Sequence, residues 1–270
     1  MPSAQPSPFG RLLRQWRSLR GASQFSLAVD ARTSTRHLSF VETGRSQPSR
    51  EMVLRLAEAL DVPLRERNAL LAAAGFAPLY RESELDGPAL RPLRSMLAFL
   101  LERHEPFPAV LVDRCSNVLD ANAACARLLA RLAGPGPVWR RQPVNVLRLT
   151  FDPDGLRPSI VNWDDVGRRL LGNLQREAAS AGADDSLTRL VEELLALPGT
   201  PAAWRIPDLA RAPEPVLALH LKRGDLELRL FSMFTTVGTP QDVTLQELRI
   251  ESFMPADAAT ESALRSLSAA

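Results

Sequence analysis

The sequence predicts an α+β multidomain protein, in which an all-helical N-terminal domain precedes a C-terminal domain of helices and an antiparallel sheet. Three observations lead to this fold class. Apolar residues recur at helical spacing up to about residue 80, and short segments typical of strands appear after about residue 105. The intervening stretch GFAPLYRESELDGPALRP mixes turn residues and charges without a sustained period. We therefore expect domains at 1–80 and 105–270, joined by a linker and connecting helix over 81–104.

Five short helices are predicted in the N-terminal domain. The first places Leu13 and Trp16 on an apolar stripe, whereas its four arginines lie largely off that stripe. Ser23 and Ser34 are placed to cap the second and third helices, and Gly44 is placed to end the third. Brief connections between short helices indicate a compact bundle. The remaining two helices are expected to begin near Ser49 and at Pro63.

The second and third predicted helices, with the tight turn between them, have the layout of a helix-turn-helix DNA reader. In the third helix, Leu38 and Val41 are three positions apart and are expected to face inward. The residues that remain on the outer side are the candidates for reading base edges. They are Thr35, Arg36, Ser39 and Phe40.

Charge is unevenly distributed along the chain. The segment from Phe9 to Arg50 contains eight arginines against Asp30 and Glu42, which gives 8 − 2 = +6. The whole chain carries +2, so the remainder totals 2 − 6 = −4. A basic N-terminal segment on a chain whose remainder is neutral to acidic suits attraction to phosphates. A solvated basic face explains the charge alone equally well, so the charge indicates DNA binding only in combination with the motif.

The C-terminal domain is expected to combine short strands with leucine-rich helices. The sequence Arg223-Gly224-Asp225 suits a hairpin turn between two strands. The last strand shifts its alternation near Glu247 and Leu248, which we interpret as a bulge. Strands are predicted at 109–113, 118–121, 216–222, 226–234 and 243–253, and helices at 90–103, 123–132, 163–179 and 187–197.

Four phrases of the sequence resemble a known family over nearly the whole length. They are STRHLSFVETGRSQPS, LRERNALLAAAGFAP, LVDRCSNVLDAN and TTVGTPQDVTLQELRIESFMPAD. The first resembles the helix-turn-helix of the XRE, or lambda-repressor-like, superfamily, and together they are similar to the MmyB-like transcription regulators. The resemblance implies a lambda-repressor-like N-terminal domain, a PAS-like C-terminal domain, and a homodimeric repressor or regulator that binds a double-stranded DNA operator.

The resemblance also assigns roles to individual residues. Gln24 would open the second helix and touch a phosphate, the outer residues of the third helix would face the major groove, and Arg45 would contact the DNA backbone. Ser34, at the start of the third helix, completes the predicted DNA-binding set. One position departs from the family, since Arg32 stands where glycine is common. A positive φ there costs on the order of 1 kcal/mol, so either the turn differs or the strain is tolerated for an additional cation.

For the C-terminal domain, the resemblance implies a pocket that accepts a small apolar or fatty-acid-like molecule. Large apolar side chains could line such a pocket, and a guanidinium group pairs well with a ligand carboxylate. The same residue types are also ordinary core or solvated helix residues. The candidate ligand-binding residues are Trp163, Arg169, Phe231, Met233 and Phe234.

Two other functions stay open for this domain. Its apolar strand faces could dock a protein partner instead of a metabolite. Alternatively, the domain could sense through haem or another chromophore, because histidine and cysteine side chains can serve as axial ligands. The sequence favours the simpler interpretation that these are surface or core residues. The residues in question are His104, His220, Cys115 and Cys125.

Enzyme chemistry, metal sites and cofactors are not expected. Neighbouring acids such as Asp164 and Asp165 have no partnered nucleophile or base in the pattern, and residues at i and i+1 do not share a helix face. The histidines and cysteines form no metal-ligand spacing, and no Gly-rich phosphate loop or GxSxG elbow is present. The sequence contains no 18-residue apolar run and no signal peptide, so we expect a cytoplasmic protein without a membrane partner.

Overall fold

The computed structural model describes residues 7–132, 141–180, 185–206 and 218–269. These residues form two compact units. One unit contains 7–82 together with 179–180 and 240–246, and the other contains the remaining described residues. In the described ranges, no helix is both long and apolar enough to cross a membrane.

The first unit is a helical bundle, as predicted. The Oγ atoms of Ser7, Ser23, Ser34 and Ser49 each accept a hydrogen bond from a backbone N–H in the first turn of the helix that follows. These hydroxyl groups satisfy N–H groups that have no partner within the helix, which explains where four of the helices begin. Helix α1 packs against α3 and α5, and α4 packs against α5. The helices are α1 Pro8–Leu19, α2 Gln24–Asp30, α3 Thr35–Glu42, α4 Arg50–Ala59 and α5 Leu64–Ala73.

The second unit is built around a five-stranded antiparallel sheet, which confirms the predicted α+β architecture. The strand order is β2-β1-β5-β4-β3, so the last strand in sequence lies at the centre. The strands are β1 Ala109–Val112, β2 Val118–Ala121, β3 Leu219–Arg223, β4 Leu226–Thr236 and β5 Arg249–Pro255. The helices that follow in chain order are α6 Arg91–Arg103, α7 Ala123–Leu132, α8 Val146–Phe151, α9 Trp163–Ser180, α10 Asp185–Ala196, α11 Val243–Glu247 and α12 Ala258–Ala269.

Strand β4 shows the predicted alternation at its beginning and loses it at its end. Leu228 and Leu230 are fully buried in the core, whereas Glu227 and Arg229 are exposed. From Ser232 to Thr236, every residue of the strand is exposed. Because neighbouring strand residues point to opposite faces, both faces of this end of β4 lack cover from the described residues.

The predicted strand over 243–253 is wrong in its first half. Residues 243–247 form the short helix α11, and the strand begins only at Arg249. The cause is local. The Asp242 carboxylate accepts a hydrogen bond from the N–H of Thr244, and the N–H of Gln246 donates to the carbonyl of Asp242. The shift of alternation interpreted as a bulge is therefore the change from helix to strand.

Two helices were not predicted, and one predicted strand is only partly described. Helix α8 is a single short segment after a loop, and α12 follows the last strand, where no helix was expected. Of the strand predicted at 216–222, residues 216 and 217 lie outside the described residues, and β3 covers the rest from Leu219.

Candidate DNA-binding surface and ligand-binding domain

The turn between α2 and α3 adopts the strained conformation, with Arg32 at φ 52°. The N–H of Arg32 donates to the carbonyl of Val29, and the N–H of Thr33 donates to the carbonyl of Ala28. These bonds close the end of α2 in the way that a glycine would normally do. Of the two alternatives for this turn, the structure therefore has the second, in which an arginine occupies the left-handed position.

Helix α3 has one buried face and one accessible face, as predicted from its spacing. Leu38 and Val41 are buried. On the other side, Thr35 and Arg36 are exposed, and Ser39 and Phe40 are partly exposed. The guanidinium carbon of Arg36 lies 5.4 Å from the ring centroid of Phe40, so the ring partly orients the cation. Ser34 caps this helix through its hydroxyl, which accepts from the N–H of His37.

The loop that follows α3 is held close to the end of that helix. Gly44 has φ 76°, and the N–H of Arg45 donates to the carbonyl of Phe40 at 2.8 Å. Glycine serves here because the left-handed conformation that ends the helix is unfavourable for other residues. Arg32, Arg45 and Arg50 are all exposed, and none forms a salt bridge with the described residues. These three charges are available to an external anion.

A buried carboxylate organises the back of this surface. The side chain of Glu42, at the C-terminal end of α3, is 0% exposed. It accepts hydrogen bonds from Nε of Arg17 at 2.7 Å and from Nε2 of Gln24 at 2.8 Å, and Nε of Arg14 lies 3.6 Å away. Burial alone would raise the pKa of Glu42, but the hydrogen bonds from Arg17 and Gln24 and the charges of Arg17 and Arg14 outweigh it. The pKa therefore stays below its ordinary value.

Glu42 links three helices of the bundle and fixes Gln24, the residue expected to touch a phosphate. The amide group of Gln24 donates to Glu42, which sets the side-chain orientation at the start of α2. Sequence reasoning missed this network, and it grouped Arg17 with the cationic face. Arg17 and Glu42 are 25 positions apart, so no local pattern could have paired them.

Helices α1 and α3 approach each other closely at Gly10. A Cβ atom at this position would lie 2.4 Å from the carbonyl oxygen of Glu42. No real Cβ tolerates that distance, so a side chain here would move α3 away from α1. The position of α3 therefore depends on a glycine as well as on the ion pair.

The five candidate ligand-binding residues do not meet at one place. Phe234 shares a face of the sheet with the buried Leu230, whereas Phe231 and Met233 point to the opposite face. Trp163 packs beside the core that contains Leu230. Met233 and Phe234 are each 58% exposed, and Arg169 is exposed on α9. One pocket cannot contain residues from both faces, so the candidate set is divided by the sheet.

Trp163 belongs to an aromatic cluster instead of an open cavity. Its ring lies 4.9 Å from that of Phe151 and 5.6 Å from that of Trp204. The guanidinium group of Arg157 lies 5.2 Å from the Trp163 ring. A Cβ on Gly167 would come within 2.6 Å of Trp204, so the helix approaches the cluster closely because this residue is glycine.

The central strand of the sheet contains a second glutamate with a shifted pKa, and this residue is partly exposed. Glu251 of β5 accepts a hydrogen bond from Ser232 of β4. Burial raises the pKa of Glu251, and the hydrogen bond from Ser232 lowers it less than burial raises it. Burial, followed by the nearby charge of Glu251, raises the pKa of Cys125 to about 11, which makes this thiol unreactive near neutral pH.

The histidines considered as chromophore ligands lie at separate places. His104 ends α6, and burial lowers its pKa. His220 of β3 pairs with Glu227 through Nε2 at 2.8 Å. Among the described residues, no group of three or more histidine, cysteine or acidic side chains is arranged to hold a metal ion.

No curated protein matches the chain. A structure titled "Structure of an RNA-binding Light-Oxygen-Voltage Receptor" is similar at 13% sequence identity, with a TM-score of 0.29. The match covers 97% of this chain, and the chain spans 62% of the length of that structure. A similarity of this size says nothing about the fold or function of this chain.

Two family models match, and together they cover most of the chain. The helix-turn-helix domain matches residues 8–70, which span α1 to most of α5. The MmyB-like transcription regulator ligand binding domain matches residues 93–267, which is well over half of the chain and includes the whole sheet. The chain, in which the helix-turn-helix domain precedes this domain in sequence, therefore belongs to the MmyB-like family of DNA-binding transcription regulators.

Proposed function

We propose that the protein is a ligand-responsive repressor that binds a pseudo-palindromic operator as a homodimer. The observation that carries the proposal is the accessible face of α3, with Arg36 on it and with Arg32 and Arg45 beside it. A helix of this kind fits the major groove, and cations at its edges meet phosphates on either side. We keep the division into 1–80, 81–104 and 105–270 as part of this proposal.

Each residue of the predicted set has a role within this proposal. The residues that contact base edges are Thr35, Arg36, Ser39 and Phe40. The guanidinium group of Arg36 forms bidentate hydrogen bonds with a guanine. Ser34 and Gln24 lie at helix N-termini, where phosphate binding is favoured, and the ion pair behind Gln24 supports its orientation. Arg45 contacts the backbone from the loop after α3.

Dimerisation follows from the geometry of the duplex. One α3 covers a few base pairs, and a second copy on a two-fold axis reaches the next major groove at about 34 Å. Two copies of the helix-turn-helix domain supply the affinity and the half-site spacing that one copy lacks. The family's ligand binding domain supports a small-molecule effector, and we propose that the effector is apolar or fatty-acid-like.

The DNA-binding residues can be tested with duplexes selected by the protein from a random pool. Arg36→Ala is expected to cost about 1–3 kcal/mol on the selected duplex and to relax the preference at one position. Arg45→Ala is expected to weaken all duplexes uniformly and to reduce the salt slope by about one unit. The control is Arg131→Ala, which removes an exposed arginine of α7 outside the bundle. Unchanged binding by both test variants would reject the assignment.

The ligand and the dimer can be tested together by native mass spectrometry of the purified protein. We expect a dimer mass and, under gentle ionisation, an additional mass that is lost on denaturation. A protein that never carries or binds a small molecule would favour the second candidate, a protein-interaction module. Met233 and Phe234 support that candidate, because both are exposed at the uncovered end of β4.

A further inference from the structure

A small apolar pocket lies between helix α6 and the sheet, away from all five candidate ligand-binding residues. It has a volume of about 160 Å³. Leu97 and Leu100 of α6 form one wall, and Leu111 and Ile250 of the sheet form the other, together with Leu248 just before β5. The end of β4 and the two residues that follow it, over 235–238, form the third side.

The size and the lining restrict what this pocket can hold. Within the described residues, the hydroxyl groups of Thr235 and Thr236 are the only polar side-chain groups that line it. An apolar cavity of about 150 Å³ in another protein stays dry and binds benzene. The pocket therefore suits an apolar molecule of about one aromatic ring, with at most one hydrogen-bonding group.

Both ends of the segment 240–246 are joined to walls of this pocket. The segment begins two residues after Gly238 and ends two residues before Leu248, and both of these residues line the pocket. The segment itself belongs to the helical unit. A change in the pocket walls therefore acts on a piece of chain that is part of the bundle. We call 240–246 the strap.

The strap is attached to the rest of the helical unit at two points, of which the first is on helix α5. Oε1 of Gln246 accepts a hydrogen bond of 2.6 Å from the N–H of Leu64, the first residue of α5. The preceding residue, Pro63, provides no side-chain cap, so Gln246 supplies from 182 positions away the cap that the other helices obtain locally. Arg81 makes the second attachment, because its carbonyl accepts from the N–H of Val243.

The second attachment also leads back to α5. The Asn68 side chain accepts from the N–H groups of Leu79 and Tyr80 and donates to the carbonyl of Tyr80. This holds the chain just before Arg81 on α5. Since α5 packs against α1 and α1 packs against α3, the strap is connected to the DNA-reading helix through packed elements of one unit.

We propose that the pocket between α6 and the sheet is an effector site for apolar molecules of about one aromatic ring, and that the strap transmits its occupancy to helix α5. The inference rests on the proposed function, since it names the effector class and the route for that regulator. Occupancy separates α6 from the walls formed by β4 and β5, and those walls continue directly into the strap. The ligand shifts DNA affinity to the extent that it prefers one position of the strap.

Binding can be measured without DNA, with benzene as the probe. The full chain, labelled at its methionine methyl groups, is titrated and followed by NMR. Met96 lines the pocket, so its signal is expected to shift saturably, while Met52 in the core of the bundle serves as a reference. Leu100→Trp fills the mouth of the pocket and abolishes the shift. Phe99→Trp, at an exposed neighbour on the same helix outside the pocket, preserves it.

A Met96 signal that does not respond up to the solubility of benzene would overturn the site. So would a response that persists unchanged in Leu100→Trp. Because this titration contains no DNA, it decides the pocket even if the protein binds no duplex, an outcome that would reject the proposed function instead.

The transmission is tested by two variants of the strap. In the wild type, benzene is expected to change the Kd for the selected duplex about fivefold or more and to alter amide exchange over 64–67. Gln246→Ala is expected to bind benzene equally well and to lose both responses. Gln241→Ala changes an exposed residue of the same strap and is expected to retain them. Retained responses in Gln246→Ala, or saturable binding that changes neither quantity in the wild type, would overturn the role of the strap.

Discussion

The helical unit and the sheet each contain one glutamate with a shifted pKa, and the two shifts have opposite directions. Glu42 is surrounded by cations, with Arg17 bound directly and Arg14 nearby, and its pKa is lowered. Glu251 forms no salt bridge with the described residues, accepts only from the neutral hydroxyl of Ser232, and has its pKa raised. Desolvation opposes the charge of both carboxyl groups, and only the first has partners that offset it.

This difference shows which interactions the buried or partly buried acid makes in each region. In the bundle, a buried ion pair joins three helices, while Arg32, Arg45 and Arg50 form no salt bridge with the described residues. In the sheet, an acid without a cation keeps a proton-sensitive group beside the uncovered end of β4.

The largest effect is expected from Glu42→Ala. Removing this carboxylate leaves Arg17 and Gln24 without their shared partner, and breaking a buried ion pair costs about 3 kcal/mol or more. The measurement is the free energy of unfolding by chemical denaturation near neutral pH. Glu51→Ala breaks the exposed pair with Arg55 and is expected to cost only about 0.3–0.5 kcal/mol. Equal losses in the two variants would contradict the comparison.

Gly10→Ala should destabilise the same region by about 1–3 kcal/mol, because the new methyl group collides with the carbonyl of Glu42. The displaced α3 should also lose affinity for DNA. The matched control is Gly172→Ala in helix α9, where a Cβ meets nothing closer than Arg176 at 3.6 Å. That substitution should stabilise by about 0.5–1 kcal/mol through helix propensity. If Gly10→Ala left the free energy of unfolding unchanged, α1 and α3 would be able to separate without a loss of stability.

Arg32→Gly should raise the free energy of unfolding by about 1 kcal/mol, because glycine adopts the positive φ without strain. The same change removes one cation beside α3, so DNA affinity should fall as stability rises. Asp61→Gly is the matched control, since Asp61 also has a positive φ of 46° but lies in the turn before α5. We expect it to stabilise without weakening DNA binding, and a parallel loss of affinity would argue against the role of Arg32.

The smallest effect is expected from Glu251→Gln and appears as a change in pH dependence. Because the pKa of Glu251 is raised in the folded state, its stabilising contribution is complete below its unfolded pKa and is lost as pH rises through its folded pKa. The variant should therefore lose less stability than the wild type as pH increases from acidic to neutral. Thermal unfolding across this range measures the difference, with the exposed Glu102→Gln as control.

Glu42 gives the opposite pH behaviour, which completes the comparison. The pKa of Glu42 is lowered in the folded state. Its stabilising contribution to folding is therefore present above the pKa that Glu42 has in the unfolded chain, and it is lost as pH falls through the pKa that Glu42 has in the folded protein. Parallel pH profiles for the wild type and Glu251→Gln would show that the environment of the second glutamate has been misjudged.

Much of the fold could be predicted because its signals are local. The serine caps act over three residues, and Leu38 and Val41 mark the inner face of α3 by spacing alone. The resemblance of the motif phrases to a family correctly indicated the helix-turn-helix and the ligand binding domain. The roles of Gln24, Arg36 and Arg45 stay predictions, because DNA is needed to test them.

Two other features were predicted wrongly, because a local signal that competes with the apolar pattern was overlooked. The alternation around Val243 suggested a strand, but Asp242 capped a helix there. The apolar residues of β4 looked like one pocket lining, yet the strand places them on both faces of the sheet.

The sequence by itself determined where α2, α3 and α4 begin, the inner and outer faces of α3, the basic charge of the N-terminal region and the family. These properties arise from interactions between residues a few positions apart, so a single pattern encodes them. The tertiary structure alone decided that Glu42 pairs with Arg17, that Gln246 caps α5, and that α6 leaves a pocket against the sheet. Those contacts exist only after distant elements pack, because packing sets which side chains come within bonding distance.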